Sequence, residues 1–150
     1  MTGDKKVKLL ILEDIQDPGN LGTMIRTAEA AGMNGVIMSR GTVDIFSPKV
    51  IRSTMGAVLR VPFTYADDLN PVLDGLRQKE IRSYAAYLRN GDNFKEVDYS
   101  DRAAIVIGNE GNGLSDGILE HCDRNVFIPM AGEVESLNAA VAAALLMYAL

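Results

Sequence analysis

The sequence predicts a parallel α/β fold in which helices flank both faces of one sheet. Three observations favour this fold class. Short apolar runs of strand length recur along the chain, segments with helical apolar spacing separate most of them, and glycine, proline or asparagine marks many junctions. Strands that alternate with helices at this rhythm are typical of doubly wound parallel sheets, which bind ligands at the carboxyl ends of their strands.

Each predicted strand is a short apolar run that stops at a polar or turn-forming residue. The six predicted strands are residues 7–12, 35–38, 61–65, 81–87, 103–107 and 126–128. The polar stretch around residues 90–93 is predicted to be a loop. Together these strands predict a single sheet in a single domain, residues 1–150.

Five helices are predicted among these strands, over residues 21–31, 49–57, 70–79, 115–122 and 139–150. Asn20, Ser47 and Ser136 are the predicted N-caps of the first, second and last helices. Residues 139–149 contain neither glycine nor proline and are almost wholly apolar. A helix of this composition is expected to be covered on every side, either in a core or by a second subunit.

Composition excludes several classes of protein. With 47% apolar and 23% charged residues, the chain is ordinary for a globular domain, and no apolar run reaches the roughly 20 residues of a membrane span. The single cysteine, Cys122, excludes an internal disulfide framework and leads us to expect a cytoplasmic protein. One cysteine and one histidine also argue against a zinc site. We expect Cys122 to be a small buried hydrophobe and His121 to be a surface helix residue.

The charge is unevenly distributed along the chain, although the net charge of −5 argues against a polyanionic partner. Residues 1–60 carry eight Lys and Arg against six Asp and Glu, whereas the remainder is strongly acidic. A local basic face and a solvated surface of mixed charge both fit this pattern. The bases concerned, within residues 26–60, are Arg26, Arg40, Lys49, Arg52 and Arg60.

Three loops carry more polar residues than a connection needs: residues 20–28, 108–114 and 133–138. In the first, Asn20 can be a simple cap and Arg26 a surface residue. The second has glycines in the order G-x-x-G-x-G after the fifth strand, which fits a tight turn or a ligand loop but not a dinucleotide fingerprint or a P-loop. In the third, no nucleophile elbow surrounds Ser136, which argues against a serine hydrolase.

Taken together, these loops resemble the three signature motifs of one enzyme family. The segments are N-x-G-x-x-x-R-T-A at residues 20–28, I-G-N-E-G-x-G at 107–113, and I-P-M-x-G-x-x-E-S-L-N-x-A-V-A at 128–142. In this order and at these separations, they resemble the TrmH/SpoU branch of the SPOUT superfamily, which contains RNA ribose 2′-O-methyltransferases. The resemblance spans nearly the whole chain.

The resemblance implies a homodimer with a deep C-terminal trefoil knot that binds S-adenosylmethionine, and general folding rules alone would reject that topology. It implies Arg26 as the key catalytic residue, oriented by Asn20, with Glu110, Ser136 and Asn138 positioning Arg26, the hydroxyl or the cofactor. It also implies cofactor contacts from backbone groups and glycines of the second and third loops. Those cofactor-binding residues are Gly108, Asn109, Gly111, Ile128, Met130 and Leu137.

The resemblance also implies an RNA partner, so Lys49, Arg52 and Arg60 of the basic stretch are expected to contact RNA phosphates. Many members carry an additional N-terminal RNA-binding domain, so we expect either a catalytic domain without it, lacking the end of its last helix, or a minimal member. Two alternatives remain open at this point. One is a domain that binds cofactor or RNA but needs a missing segment for turnover, and the other is a Rossmann-type oxidoreductase.

Overall fold

Seven parallel strands form one sheet in the computed structural model, which describes residues 5–150. Their order across the sheet is β3-β2-β1-β6-β4-β7-β5, and every neighbouring pair is parallel. The strands are β1 (Val7–Leu12), β2 (Gly35–Ser39), β3 (Phe63–Ala66), β4 (Arg82–Ala86), β5 (Asp92–Asn93), β6 (Arg102–Ile107) and β7 (Arg124–Phe127).

Five helices cover the sheet on both faces, as the sequence predicted. They are α1 (Pro18–Ala30), α2 (Pro48–Thr54), α3 (Leu69–Gln78), α4 (Asp116–His121) and α5 (Ala139–Ala149), with a short 3-10 turn at Ala57–Leu59. Helices α1, α2 and α5 pack with one hydrophobic layer, and α3 and α4 with the other. Both faces of the sheet are covered because its strands are apolar on both sides. In the central strand β1, Leu10 and Leu12 face the first layer and Ile11 faces the second.

Two predicted helix caps are wrong. Asp17, not Asn20, caps α1, because its carboxylate accepts the N–H of Asn20 at 2.9 Å and Pro18 opens the helix. Asn138, not Ser136, caps α5, since its Oδ1 accepts the N–H groups of Ala140 at 2.8 Å and of Val141 at 3.2 Å. Both corrections matter for the site described below.

Helix α2 is shorter than predicted and ends at Thr54. Ser47 precedes it, but its side chain makes no capping hydrogen bond. The helix stops because Met55 adopts a left-handed conformation with φ of 53°, which cannot continue a right-handed helix. The 3-10 turn then leads into β3.

The expected loop at residues 90–93 contains a strand, so that prediction is wrong. Strand β5 pairs with β7 through Asp92 to Val126 and Asn93 to Phe127, and it forms one edge of the sheet. Its two polar residues carry no alternating pattern that would identify a strand. Among residues 5–150, no helix combines the length and the apolar character that crossing a membrane requires.

Candidate functional site

A cavity of about 440 Å³ opens at the carboxyl ends of β4, β6 and β7. Its walls come from the loops after these strands and from the segment that leads into α5. Gly108, Ile128 and Leu137, which lie far apart in the sequence, line this one cavity together. All six residues expected to bind the cofactor line it: Gly108, Asn109, Gly111, Ile128, Met130 and Leu137.

The glycine-rich loop at one wall is folded tightly on itself. A Cβ at Gly108 would lie 2.6 Å from the carbonyl oxygen of Gly113, and closer still to the carbonyl carbon of that residue. Gly113 in turn adopts φ of 68°, which side chains disfavour. Asn109 shapes the loop from within, since its amide donates to the carbonyl of Asp14 at 2.7 Å and its Oδ1 accepts the N–H of Gly111 at 2.8 Å.

The side chain of Glu110 ties this loop to the start of α1. Its carboxylate accepts the backbone N–H groups of Gln16 at 3.1 Å and of Asp17 at 2.9 Å, and the side-chain amide of Asn20 at 3.3 Å. Partial burial acts to raise the pKa of Glu110, but these donors outweigh it, so the pKa is lowered from its ordinary value. Glu110 is therefore an anion whose charge is already satisfied by the protein.

Asn138 extends this network to the third loop. Its side-chain amide donates to Oδ1 of Asn20 at 3.1 Å while its own oxygen caps α5. The three loops are thus joined in series by Glu110, Asn20 and Asn138. Of these three, only Glu110 lines the cavity, and Ser136 lines it from the segment before α5. Asn20 and Asn138 do not line the cavity, but their side chains connect the loops through hydrogen bonds.

Arg26 is exposed on α1, and it is not among the residues that line the cavity of its own chain. Within the described residues, its guanidinium makes no hydrogen bond or salt bridge. Gly22 of the same motif has a structural role: a Cβ there would overlap Cβ of Ser53, so α1 and α2 can cross closely only with glycine at this position. In the first motif, Gly22 therefore allows α1 to pack closely against α2, and Arg26 has no hydrogen-bond or salt-bridge partner among the described residues.

The three cations expected to contact RNA differ in how they are engaged. Arg60 donates to Glu29 through Nε and, at 2.9 Å, through Nη2, and this pairing lowers the pKa of Glu29 and raises that of Arg60. Lys49 and Arg52 are exposed on α2 and have no acidic partner in the part of the chain that the structure describes. Arg60 is thus engaged within the protein, whereas the other two cations are available.

Sequence reasoning missed the loop after β4. Tyr87, Leu88 and Arg89 of this loop line the cavity together with the glycine-rich loop. A signal did exist, because Tyr87 ends the predicted strand 81–87, Leu88 and Arg89 follow it, and parallel sheets bind ligands at that end of their strands. The loop contains no glycine pattern and no part of the three motifs, so nothing in the sequence singled it out.

His121 and Cys122 lie outside the cavity. Nδ1 of His121 is 2.8 Å from Oδ1 of Asp74 and links α4 to α3 on the other face of the sheet. Cys122 is partly buried, and burial raises the pKa of its thiol to about 12, which fits an inert side chain. Among residues 5–150, no cluster of three or more His, Cys, Asp or Glu side chains could hold a metal ion.

Comparison with known families decides which group of proteins shares this arrangement. The model of the SpoU rRNA methylase family matches residues 8–148 of the 150. The chain belongs to the SpoU rRNA methylase family. The three motifs are therefore those of a SpoU methylase, and the family match does not support the alternative of a Rossmann-type oxidoreductase.

Relatives of this SpoU methylase include a 23S rRNA (guanosine(2553)-2′-O)-methyltransferase, RlmP, of Bacillus subtilis, which is 43% identical over 94% of the chain and 56% of its own length. Among solved structures, an rRNA methyltransferase from Sinorhizobium meliloti with bound AdoMet aligns with a TM-score of 0.88 and 32% identity, over 99% of this chain and 57% of that one.

The SpoU methyltransferase AviRb from Streptomyces viridochromogenes, in complex with the cofactor AdoMet, aligns with a TM-score of 0.90 and 30% identity, over 98% of this chain and 60% of that one. The chain thus spans little more than half the length of these relatives.

Proposed function

We propose that the chain is the catalytic domain of an RNA ribose 2′-O-methyltransferase that uses S-adenosylmethionine. One observation carries the proposal: the loops of the second and third family motifs line a single cavity, and the network of Glu110, Asn20 and Asn138 ties the first motif to both of them. The relative RlmP is named as a 2′-O-methyltransferase of rRNA, which supports the same reaction here.

The cavity suits this cofactor in size and in lining. A volume of about 440 Å³ falls within the usual range for small-molecule sites. Gly108 and Gly111 keep side chains away from one wall, and Ile128, Met130 and Leu137 supply apolar surface for a purine ring. When bound, S-adenosylmethionine supplies a methyl group activated by a positively charged sulfur. The two AdoMet-bound structures of relatives support this assignment.

We infer that Arg26 acts as an electrostatic clamp on the RNA. A guanidinium has a pKa above about 12 and stays protonated, which makes it a poor general base. A permanent cation can instead hold the phosphate beside the target ribose and stabilise negative charge on the 2′-oxygen as this oxygen loses its proton to solvent and bonds to the methyl carbon, whose bond to sulfur breaks. The absence of an internal partner for Arg26 among the described residues supports this role.

A homodimer is part of the proposal, with Arg26 reaching the cavity of a second copy. Arg26 lies six residues beyond Asn20, or about 9 Å along the helix, and does not line its own cavity. Helix α5 offers a surface for such a partner. It buries one side but leaves Val141, Leu145 and Tyr148 exposed, the last by 64%. An exposed apolar helix face of this kind is typical of a subunit interface.

We further propose that the chain forms the trefoil knot of its family. Strand β7 lies between β4 and β5, so the β4-to-β5 connection must pass the end of β7. The chain that leaves β7 then returns to α5, which packs on α1 and β6. Pulling both ends in a force spectrometer should give an extended length shorter than the full contour, because a tightened knot retains residues. A full-length extension would contradict the knot.

The RNA surface is proposed to include Lys49 and Arg52, which are exposed on α2, the helix that packs against α1, where Arg26 lies. Arg60 is proposed to contribute only if RNA displaces Glu29 from it. Two or three phosphate contacts give weak binding that decreases as the salt concentration rises, which fits a catalytic domain whose relatives are longer. An RNA substrate also leads us to infer a cytoplasmic location.

The function is tested by incubating the protein with tritium-labelled S-adenosylmethionine and bulk rRNA or tRNA. Nuclease digestion and chromatography should recover the label as ribose-methylated nucleosides. Label in the bases would contradict the proposed reaction. Cofactor binding by calorimetry without any incorporation would instead favour a binding domain that needs a further segment for turnover.

A further inference from the structure

The loop after β4, residues 87–91, is held in one position by its neighbour β7. The N–H of Tyr87 donates to the carbonyl of Val126 at 3.0 Å, and the side-chain amide of Asn125 donates to the carbonyl of Arg89 at 3.5 Å. Gly91 packs so closely on this strand that a Cβ there would lie 2.6 Å from the carbonyl oxygen of Asn125. The loop therefore presents Arg89 from a fixed backbone.

Arg89 places an uncompensated charge at the cavity. It is the only Lys or Arg among the described residues that line the cavity, its side chain is exposed, and no acidic group in the described residues pairs with it. The one anion that lines the cavity in residues 5–150 is Glu110, and its carboxylate already accepts hydrogen bonds from Gln16, Asp17 and Asn20. A guanidinium that extends from a fixed backbone at the edge of a ligand cavity, and that has no partner among the described residues, is suited to bind an anionic group of the ligand.

The proposed cofactor carries a single anionic group. Its sulfonium and its α-ammonium are positive, and both are repelled by a guanidinium, whereas its α-carboxylate is attracted. The guanidinium also matches a carboxylate in shape, because two parallel N–H groups can donate to the two oxygens. Arg89 consequently favours one orientation of the amino-acid portion, with the carboxylate toward residues 87–91 and the sulfonium away from them.

We propose that Arg89 binds the α-carboxylate of the cofactor and so sets the direction of its amino-acid tail. This inference rests on the proposed function, since it needs a cofactor of that chemistry in the cavity. None of the three motifs contains Arg89. It is a binding residue contributed by the loop after β4.

The test compares two ligands that differ by the amino-acid tail. S-adenosylhomocysteine carries the carboxylate, and 5′-methylthioadenosine lacks it. Calorimetry should show that Arg89→Gln binds S-adenosylhomocysteine about tenfold or more weakly than the wild type, the loss of a charge-assisted hydrogen bond, while affinity for 5′-methylthioadenosine is unchanged. Arg82→Gln is the matched control, because Arg82 is exposed on the preceding strand and does not line the cavity.

Each other result overturns the inference in a recognisable way. Equal affinity of Arg89→Gln and wild type for S-adenosylhomocysteine contradicts it, and a loss confined to RNA binding would assign Arg89 to a phosphate instead. Equal losses for both ligands would show that the substitution merely distorts the loop. If the wild type binds neither ligand, the cofactor proposal itself fails. Arg89→Lys should recover part of the selective loss, because it keeps the charge without the planar fork.

Discussion

Adding a single methyl group at Gly108 should damage the cavity. In Gly108→Ala the new Cβ would lie 2.6 Å from the carbonyl oxygen of Gly113, nearly an ångström inside ordinary contact, and its other close neighbours are also backbone atoms. Backbone cannot rotate away as a side chain can, so residues 108 to 114 must shift. Overpacking of this kind costs about 1–3 kcal/mol. If the cost falls on the binding-competent loop, affinity for the cofactor drops by roughly 5- to 150-fold.

Titration of S-adenosylhomocysteine by calorimetry measures that drop directly, and urea unfolding of the same samples measures any loss of folding free energy. Gly75→Ala is the control, because Gly75 lies within α3 and a Cβ there meets nothing within 4 Å. The control should bind normally and be slightly more stable, since alanine favours the helix. Wild-type affinity together with wild-type stability in Gly108→Ala would refute the reasoning about the glycine-rich loop.

Three further outcomes follow from individual residues. Tyr148→Glu should convert the proposed dimer to a folded monomer, as measured by light scattering, and an unchanged dimer mass would contradict the α5 interface. Leu146 is not suitable for this test, because it is only 1% exposed and a charge there would unfold the core. Asn138→Ala should lower the free energy of unfolding in urea by about 1 kcal/mol through loss of the cap, and no change would argue against it. Since the pKa of Glu110 is lowered on folding, its contribution to stability is complete above the ordinary value of 4.5 and is lost as the pH falls through the lowered value. Glu110→Gln should remove that acid dependence from urea midpoints, and an identical pH profile would contradict it.

The strand and helix order could be predicted from the sequence because most elements carry strong apolar patterns. The buried run of β6 and the apolar spacing of α1 are examples, and both were confirmed within a few residues. Strand β5 was missed because Asp92 and Asn93 owe their conformation to pairing with β7, a long-range contact that leaves no local signal.

The helix caps were misjudged for a reason that bears on the site. Asp17 followed by Pro18 is a strong helix start, but Pro18-Gly19 is also a typical turn sequence and so does not reveal that the helix begins there. Had Asn20 been the cap, its side-chain oxygen would have accepted a backbone N–H of the first helical turn. Because Asp17 takes that role, the amide of Asn20 can bind both Glu110 and Asn138. Similarly, Asn138 can cap α5 and reach Asn20 at once, which Ser136 could not do.

The convergence of the loops could be anticipated only through the family resemblance. Composition and periodicity indicated three polar loops, but they could not bring Gly108, Ile128 and Leu137 to one cavity, because that depends on the strand order across the sheet. The position of Arg26 illustrates the same limit. Its helix was predicted, yet its absence from the lining of the cavity depends on how α1 packs against α2 and α5.

One measurement tests most directly whether the cavity binds the cofactor while Arg26 acts on the RNA. Methyl incorporation into RNA and affinity for S-adenosylhomocysteine are compared in wild type and Arg26→Ala. We expect incorporation to fall below detection while the affinity stays within about twofold, because Arg26 is proposed to act on RNA and does not line the cavity. Parallel loss of both quantities, or undiminished incorporation, would contradict the account.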